Sequence, residues 1–144
     1  MLICGYQGVG KSTYCRNNPE TTVDLDSSNF KKTDKWEENY IKTALGFVGN
    51  DKNVFISAHK VVIEYLIANN IPFKVLIPNE KKDVWRTRLE FRYNKNKTFA
   101  NLKALYDFDL HYEEDMTYYN ELEKRGVSVN RVNARIVTTI SDFI

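Results

Sequence analysis

At 144 residues and a formal net charge of +2, the chain is sized for one domain with a real core and is too small for two. Its charges of both signs are interspersed, which excludes a protein whose main task is gripping a nucleic-acid backbone with a concentrated basic stripe. No apolar run reaches transmembrane length, so no membrane partner is expected.

The N-terminus lacks the basic-then-apolar pattern of a secretory leader. Two cysteines without a Cys-x-x-Cys pair, and two histidines, argue against a disulfide framework or a structural metal. Cys4 and Cys15 therefore read as buried free thiols in a reducing, cytoplasmic setting. The nine tyrosines and eight phenylalanines are many for this length and are expected in core packing.

In chain order, apolar runs alternate with helical patterns, which predicts a three-layer α/β fold with a five-stranded parallel sheet. Met1–Cys4 reads as a first buried strand and Lys11–Asn17 as a short helix stopping before Pro19. Thr21–Leu25 reads as the second strand. A helix follows from about Lys35, with Asp34 and Glu37 as an acidic capping box and Trp36, Tyr40, Ala44 and Phe47 as its core stripe. Asn53–Ser57 is the third strand, Lys60–Ala68 a helix and Phe73–Ile77 the fourth strand. Asp83–Tyr93 is helical with Trp85, Leu89 and Tyr93 on one side, and Asn94–Lys97 is a polar loop. Thr98–Lys124 is helical, in one piece or two, with Phe108, Tyr112, Met116, Tyr119 and Leu122 as its buried stripe. Gly126 ends it, Val127–Val132 is the fifth strand, and Ser141–Ile144 docks the C-terminus. The whole reads as a single domain, 1–144, with a lid region around 79–106.

The segment Gly5-Tyr-Gln-Gly-Val-Gly-Lys-Ser12 matches the Gly-x4-Gly-Lys-Ser/Thr phosphate loop and has the context that motif requires, a strand before it and a helix after it. Gly5, Gly8 and Gly10 let the backbone wrap round phosphate oxygens, and the N–H groups through Val9 and Lys11 form an anion nest at a helix N-terminus. Lys11 reaches the β- and γ-phosphates. Ser12 offers a hydroxyl to Mg²⁺, with Thr13 beside it. The expected ligands are therefore ATP and Mg²⁺. A GTPase would need an Asn-Lys-x-Asp element, and none is present. A motor-type ATPase would need an acidic residue ending the third strand, which instead runs into Ser57-Ala-His59.

What remains is the small-kinase plan, with acceptor groups on the second strand. Asp24 and Asp26, two apart, aim the same way at its C-terminal end. One can hold a Mg²⁺-bound water and the other can orient an acceptor. Arg88 and Arg92, four apart on the helix after the fourth strand, are the candidate cations for the transferring phosphoryl group; Arg86 points elsewhere. Asn133 and Arg135 stand where an adenine would pack, His59 opens a helix at the same sheet edge, and His111 reads as surface.

On these residues the chain resembles small phage-type P-loop nucleoside and deoxynucleoside monophosphate kinases, within the adenylate kinase and shikimate kinase-like set. The carriers are Gly5–Thr13, Val23–Phe30, Phe55–Lys60 and the Trp85–Tyr93 helix. The resemblance implies Lys11 and Ser12 on phosphates and Mg²⁺, Asp24 near the metal, Asp26 toward the acceptor, and Arg88 and Arg92 in a lid. It implies a small-molecule nucleotide partner. Two alternatives stay open: a kinase of a nucleic-acid 5′-hydroxyl or modified base, using Lys95, Lys97 and Lys103, and a nucleotide-gated regulatory protein with little turnover.

Overall fold

The computed structural model describes residues 1–30, 32–79 and 81–132. Five strands form one sheet: β1 (Leu2–Gly5), β2 (Thr22–Asp24), β3 (Asn53–Ser57), β4 (Phe73–Pro78) and β5 (Val129–Val132). Their order is β2-β3-β1-β4-β5, and every neighbouring pair is parallel. The helices are α1 (Lys11–Asn17), α2 (Trp36–Val48), α3 (Lys60–Ala68), α4 (Lys82–Lys95) and α5 (Phe99–Lys124), with a 3-10 turn at Ser27–Asn29. This is the α/β fold with a five-stranded parallel sheet that the alternating pattern predicts. No described helix is long and apolar enough to cross a membrane.

The central strands are apolar on both faces because both faces are covered. Leu2, Cys4, Val54, Ile56, Val75 and Ile77 point to one side, into a core completed by α2, α3, α4 and α5. Ile3, Phe55 and Leu76, the alternate residues, point to the other. Among the described residues that second face is covered by α1, through Cys15 and a Tyr14 ring 5.7 Å from that of Phe55. Both cysteines are free and buried. Burial pushes the Cys4 thiol up to about 12 and raises that of Cys15, so both behave as small apolar side chains.

Several boundaries differ from the sequence reading, each for a local reason. Lys35 takes a left-handed conformation (φ 58°) and occupies the cap of α2 with no side-chain hydrogen bond, so the Asp34–Glu37 capping box does not form. The buried face of α2 runs through Tyr40, Ile41 and Ala44, which turns Phe47 outward at 37% exposure. α4 continues to Lys95, shortening the polar loop to Asn96–Thr98. The Thr98 side chain accepts from the Asn101 N–H and starts α5, which is one continuous helix. Ser141–Ile144 lies outside the described residues.

The turn after β1 is braced from behind by α4. Trp85 and Leu89 are buried, and the Trp85 indole N–H donates to the Gln7 carbonyl at 3.2 Å. Gly8 sits at φ +80°, and a Cβ there would meet Leu89 Cδ2 at 2.9 Å. Only glycine satisfies both the backbone and the contact. We expect Gly8→Ala to lower stability by roughly 1–3 kcal/mol, the usual range for overpacking. The loss should be smaller when Leu89→Ala is already present, since the truncated side chain leaves room. Thermal melts of the two single variants and the double variant check this; strict additivity would show that Leu89 is not the obstacle.

Candidate active site

β1 ends at Gly5 and the chain turns through Gly8 and Gly10 (φ +97°) before α1 begins. The first helical bond, Tyr14 N–H to the Gly10 carbonyl, is 2.9 Å. Val9 is 2% exposed and anchors the turn in the core. The backbone thus wraps a concave surface at a helix N-terminus, the arrangement that favours a phosphate. The Lys11 ammonium folds back to the Gly5 carbonyl at 3.3 Å. Burial lowers its pKa, opposed by the charges of Asp24 and Asp26.

Opposite the loop, the Ser12 hydroxyl donates to Asp24 Oδ2 at 2.7 Å, tying the first turn of α1 to the end of β2. Asp26 has two roles: its Oδ1 accepts from the Ser28 N–H at 2.9 Å, capping the 3-10 turn, and its side chain faces the same space. That space is a cavity of about 700 Å³. Gly8, Gly10, Lys11, Ser12 and Thr13 line one side, Asp24 and Asp26 a second, and Arg92, Lys95 and Asn101 from α4 and α5 a third. Arg92 is held there by its Nε donating to Asn101 Oδ1 at 2.9 Å, and burial lowers its pKa.

The structure does not bring Arg88 to this cavity. Its guanidinium carbon lies 4.7 Å from the Trp85 ring centroid, and it borders a shallow surface hollow with Val84, Thr87 and Phe91. Arg86 is ion-paired to Asp109 at 2.8 Å and to Glu90, clasping α4 to α5. Gly5 borders a second cavity instead, and Val9 lies beneath the loop. Asn133 and Arg135 lie outside the described residues.

The second cavity, of about 370 Å³, meets the first at Gln7 and Lys11. Its far wall is a row on α5 (Lys103, Asp107, His111, Asp115 and Tyr119), facing Ser57–Lys60 after β3. A polar cluster sets the Ser57–Lys60 corner. The Tyr40 hydroxyl donates to the Leu25 carbonyl at 2.5 Å and accepts from the Ser57 N–H at 2.9 Å. Ser57 donates to Ser27 Oγ at 2.9 Å, and His59 Nε2 lies 3.4 Å from that oxygen. Burial raises the Tyr40 phenol to about 12, so it acts as a neutral strut between β2 and β3.

Sequence reasoning placed His111 on the surface, where its side chain is 52% exposed, and did not single out Gln7, Asp107 or Asp115. A signal existed for the α5 residues, since Lys103, Asp107, His111, Asp115 and Tyr119 recur every four residues. It was masked by the aromatic core stripe of the same helix.

A glycine-rich turn between β1 and α1, a parallel sheet with β1 at its centre and an α4–α5 pair overhanging the turn make an α/β fold of the P-loop type. Among solved structures, shikimate kinase from Bacteroides thetaiotaomicron is similar, with a TM-score of 0.50 and 16% sequence identity over 92% of this chain and 84% of that one. No family model and no curated protein matches the sequence.

The residues present fit a magnesium ion held partly by a ligand. Among the described residues no group of three or more acidic, histidine or cysteine side chains converges on a point, so no all-protein cage exists. The Ser12 hydroxyl and Asp24 carboxylate instead offer two hard oxygens beside Lys11, the partial set Mg²⁺ uses when phosphates and water complete its octahedron. We expect Asp24→Asn to weaken the Mg²⁺ dependence of nucleotide binding by about tenfold or more, as loss of an outer-shell partner does. Titrating Mg²⁺ against nucleotide affinity measures it, and an unchanged midpoint would remove Asp24 from the metal site.

His59 supplies a second expectation. Burial, then the charges of Lys32, Lys11 and Lys103, lower its pKa from the ordinary 6.5. The unfolded chain therefore takes up a proton that the folded chain resists, so this contribution to stability is complete above pH 6.5 and is lost as pH falls through the folded pKa. Melting temperature should drop on acidification below about pH 6.5, and less steeply in His59→Gln. An NMR titration midpoint for His59 at or above 6.5 would contradict this.

Proposed function

We propose that the chain is an ATP- and Mg²⁺-dependent phosphotransferase acting on a small nucleotide, a nucleoside or deoxynucleoside monophosphate. The observation that carries this reading is the meeting of the two cavities at Gln7 and Lys11. One has the backbone nest, hydroxyl and carboxylates suited to a triphosphate with its metal. The other is polar, of a size for a small acceptor, and opens beside the same lysine. A protein that only sensed nucleotide would have no use for the second.

In this mechanism the loop N–H groups and Lys11 would hold the β- and γ-phosphates, and Ser12 and Asp24 are the residues that would hold the metal. Mg²⁺, when bound, neutralises charge on the phosphate oxygens. An acceptor oxygen in the second cavity attacks the γ-phosphorus as the bond to the β–γ bridging oxygen breaks and ADP departs. A monophosphate acceptor attacks through an oxygen already ionised at neutral pH, so no base is needed. Asp26 orients the acceptor across the junction. Arg92 meets the charge on the transferring group, and Arg88, against Trp85, lies on the same helix away from the cavity.

Lys11→Ala should abolish transfer while leaving the protein folded. Arg92→Ala should lower kcat by about 10²–10³, roughly 3–4 kcal/mol, with a smaller change in ATP affinity. Arg92→Lys should restore little, because an ammonium lacks the planar fork that meets two oxygens. Arg88→Ala should cost less than Arg92→Ala. Transfer from labelled ATP to a panel of nucleosides, nucleotides and oligonucleotides is the test. ATP binding without transfer to any of them would favour the regulatory reading, and near-normal kcat in Arg92→Ala would leave that arginine a solvated helix residue.

A further inference from the structure

The second cavity carries groups of both signs along α5. Lys103 and Asp115 are twelve residues apart, about 18 Å of helix. Lys11 and Lys60 line the cavity beside Lys103, and Lys60 Nζ lies 5.2 Å from the Tyr118 ring centroid. Asp107 is engaged there by Lys103 at 2.5 Å. At the other end stands Asp115, whose Oδ2 accepts from the buried Tyr6 hydroxyl at 3.1 Å. Tyr6 is itself fixed edge-on against Tyr119, their ring centroids 5.9 Å apart, and the Tyr119 hydroxyl donates to the Ala58 carbonyl at 3.0 Å. No Lys or Arg among the described residues forms an ion pair with Asp115. A carboxylate accepts on both oxygens and donates nothing, so this one presents unfilled acceptor capacity to the cavity from a rigidly braced position.

We propose that Asp115, oriented by Tyr6, is a specificity-determining residue that reads the base of the acceptor and selects guanine. The inference rests on the monophosphate-acceptor reading above. The acceptor phosphate must lie beside Lys11, where transfer occurs, and the Asp115 carboxylate repels it. The base is therefore directed toward Asp115.

Of the common bases only guanine places two N–H donors side by side on its pairing edge, N1–H and N2–H₂, a match for the two oxygens of one carboxylate. Adenine and cytosine offer one amino group next to a ring-nitrogen lone pair. Uracil and thymine offer one N–H between two carbonyl oxygens, which would face the carboxylate with like charge. Unmatched acceptors in a partly desolvated site are costly, so the discrimination is large.

The test measures kcat/KM of the full chain with Mg²⁺-ATP and GMP, AMP, CMP, UMP, dGMP, dAMP, dCMP and dTMP. We expect the guanine nucleotides to exceed adenine and cytosine by about tenfold or more, and uracil and thymine by about 100-fold, the range set by one or two hydrogen bonds to a charged group. Asp115→Asn should reduce kcat/KM for guanine by about 10- to 100-fold and compress the ranking, because its amide replaces one acceptor with a donor. Tyr6→Phe should act in the same direction and more weakly.

A wild-type ranking without guanine first overturns the proposal whether or not the variants fold. So does an Asp115→Asn variant that folds, as judged by its melt, and slows every base by the same factor. Transfer to other monophosphates but not to guanine's overturns this inference alone. ATP binding with transfer to no monophosphate overturns the acceptor reading as well.

Discussion

The arrangement depends on a contact behind the phosphate loop rather than in it. A backbone nest binds anions only if its N–H groups point outward together, and a glycine-rich turn has many other conformations open to it. Here that freedom is removed by α4. The Trp85 indole takes the Gln7 carbonyl, and Leu89 fills the space over Gly8 that any side chain would need. Val9 is sunk into the core on the other side of the same turn. The loop is held from two directions, and its concave face stays open because its convex face is packed.

That brace also links the loop to the overhang. The helix that supplies Trp85 and Leu89 supplies Arg92 one turn later, and Arg86 on the same helix grips Asp109 of α5. α5 in turn carries the row that walls the second cavity. Loop, overhanging cation and second-cavity wall are thus linked through α4 and α5. The β2–β3 side is set independently by the Tyr40, Ser57 and Ser27 hydroxyls, which fix the corner where Asp24, Asp26 and His59 emerge.

What was readable in the sequence follows from how local each signal is. The phosphate loop is a contiguous pattern whose residues have stated geometric tasks, and the five strands follow from apolar runs alternating with helical patterns. Asp24 could be reached because β2 is short and its period-two geometry leaves few choices. Arg88 and Arg92 had equal claims by spacing; the first guanidinium lies over the Trp85 ring, while the second is held at the cavity by Asn101. Asp34 looked like a helix cap until Lys35 took the left-handed turn. The α5 row was the hardest to see. Its polar residues share a helix with a stronger apolar stripe, and polar residues at four-residue spacing are the ordinary surface of any helix. Their meaning comes from what lies opposite, the Ser57–Lys60 corner far away in sequence, which no local pattern encodes.

The electrostatics of the first cavity explain why such a site favours a multiply charged anion over a single one. Lys11 and Arg92 both have pKa values lowered by burial, and the Arg92 charge adds to the effect on Lys11. Asp24 and Asp26 offset part of this, but Asp24 already accepts from Ser12 and Asp26 caps the 3-10 turn. The resting cavity therefore holds two cations close together with only partial compensation. A monovalent anion could serve one of them. A chain of phosphates would offer oxygens to both, and a ligand that binds only the folded state stabilises it by mass action.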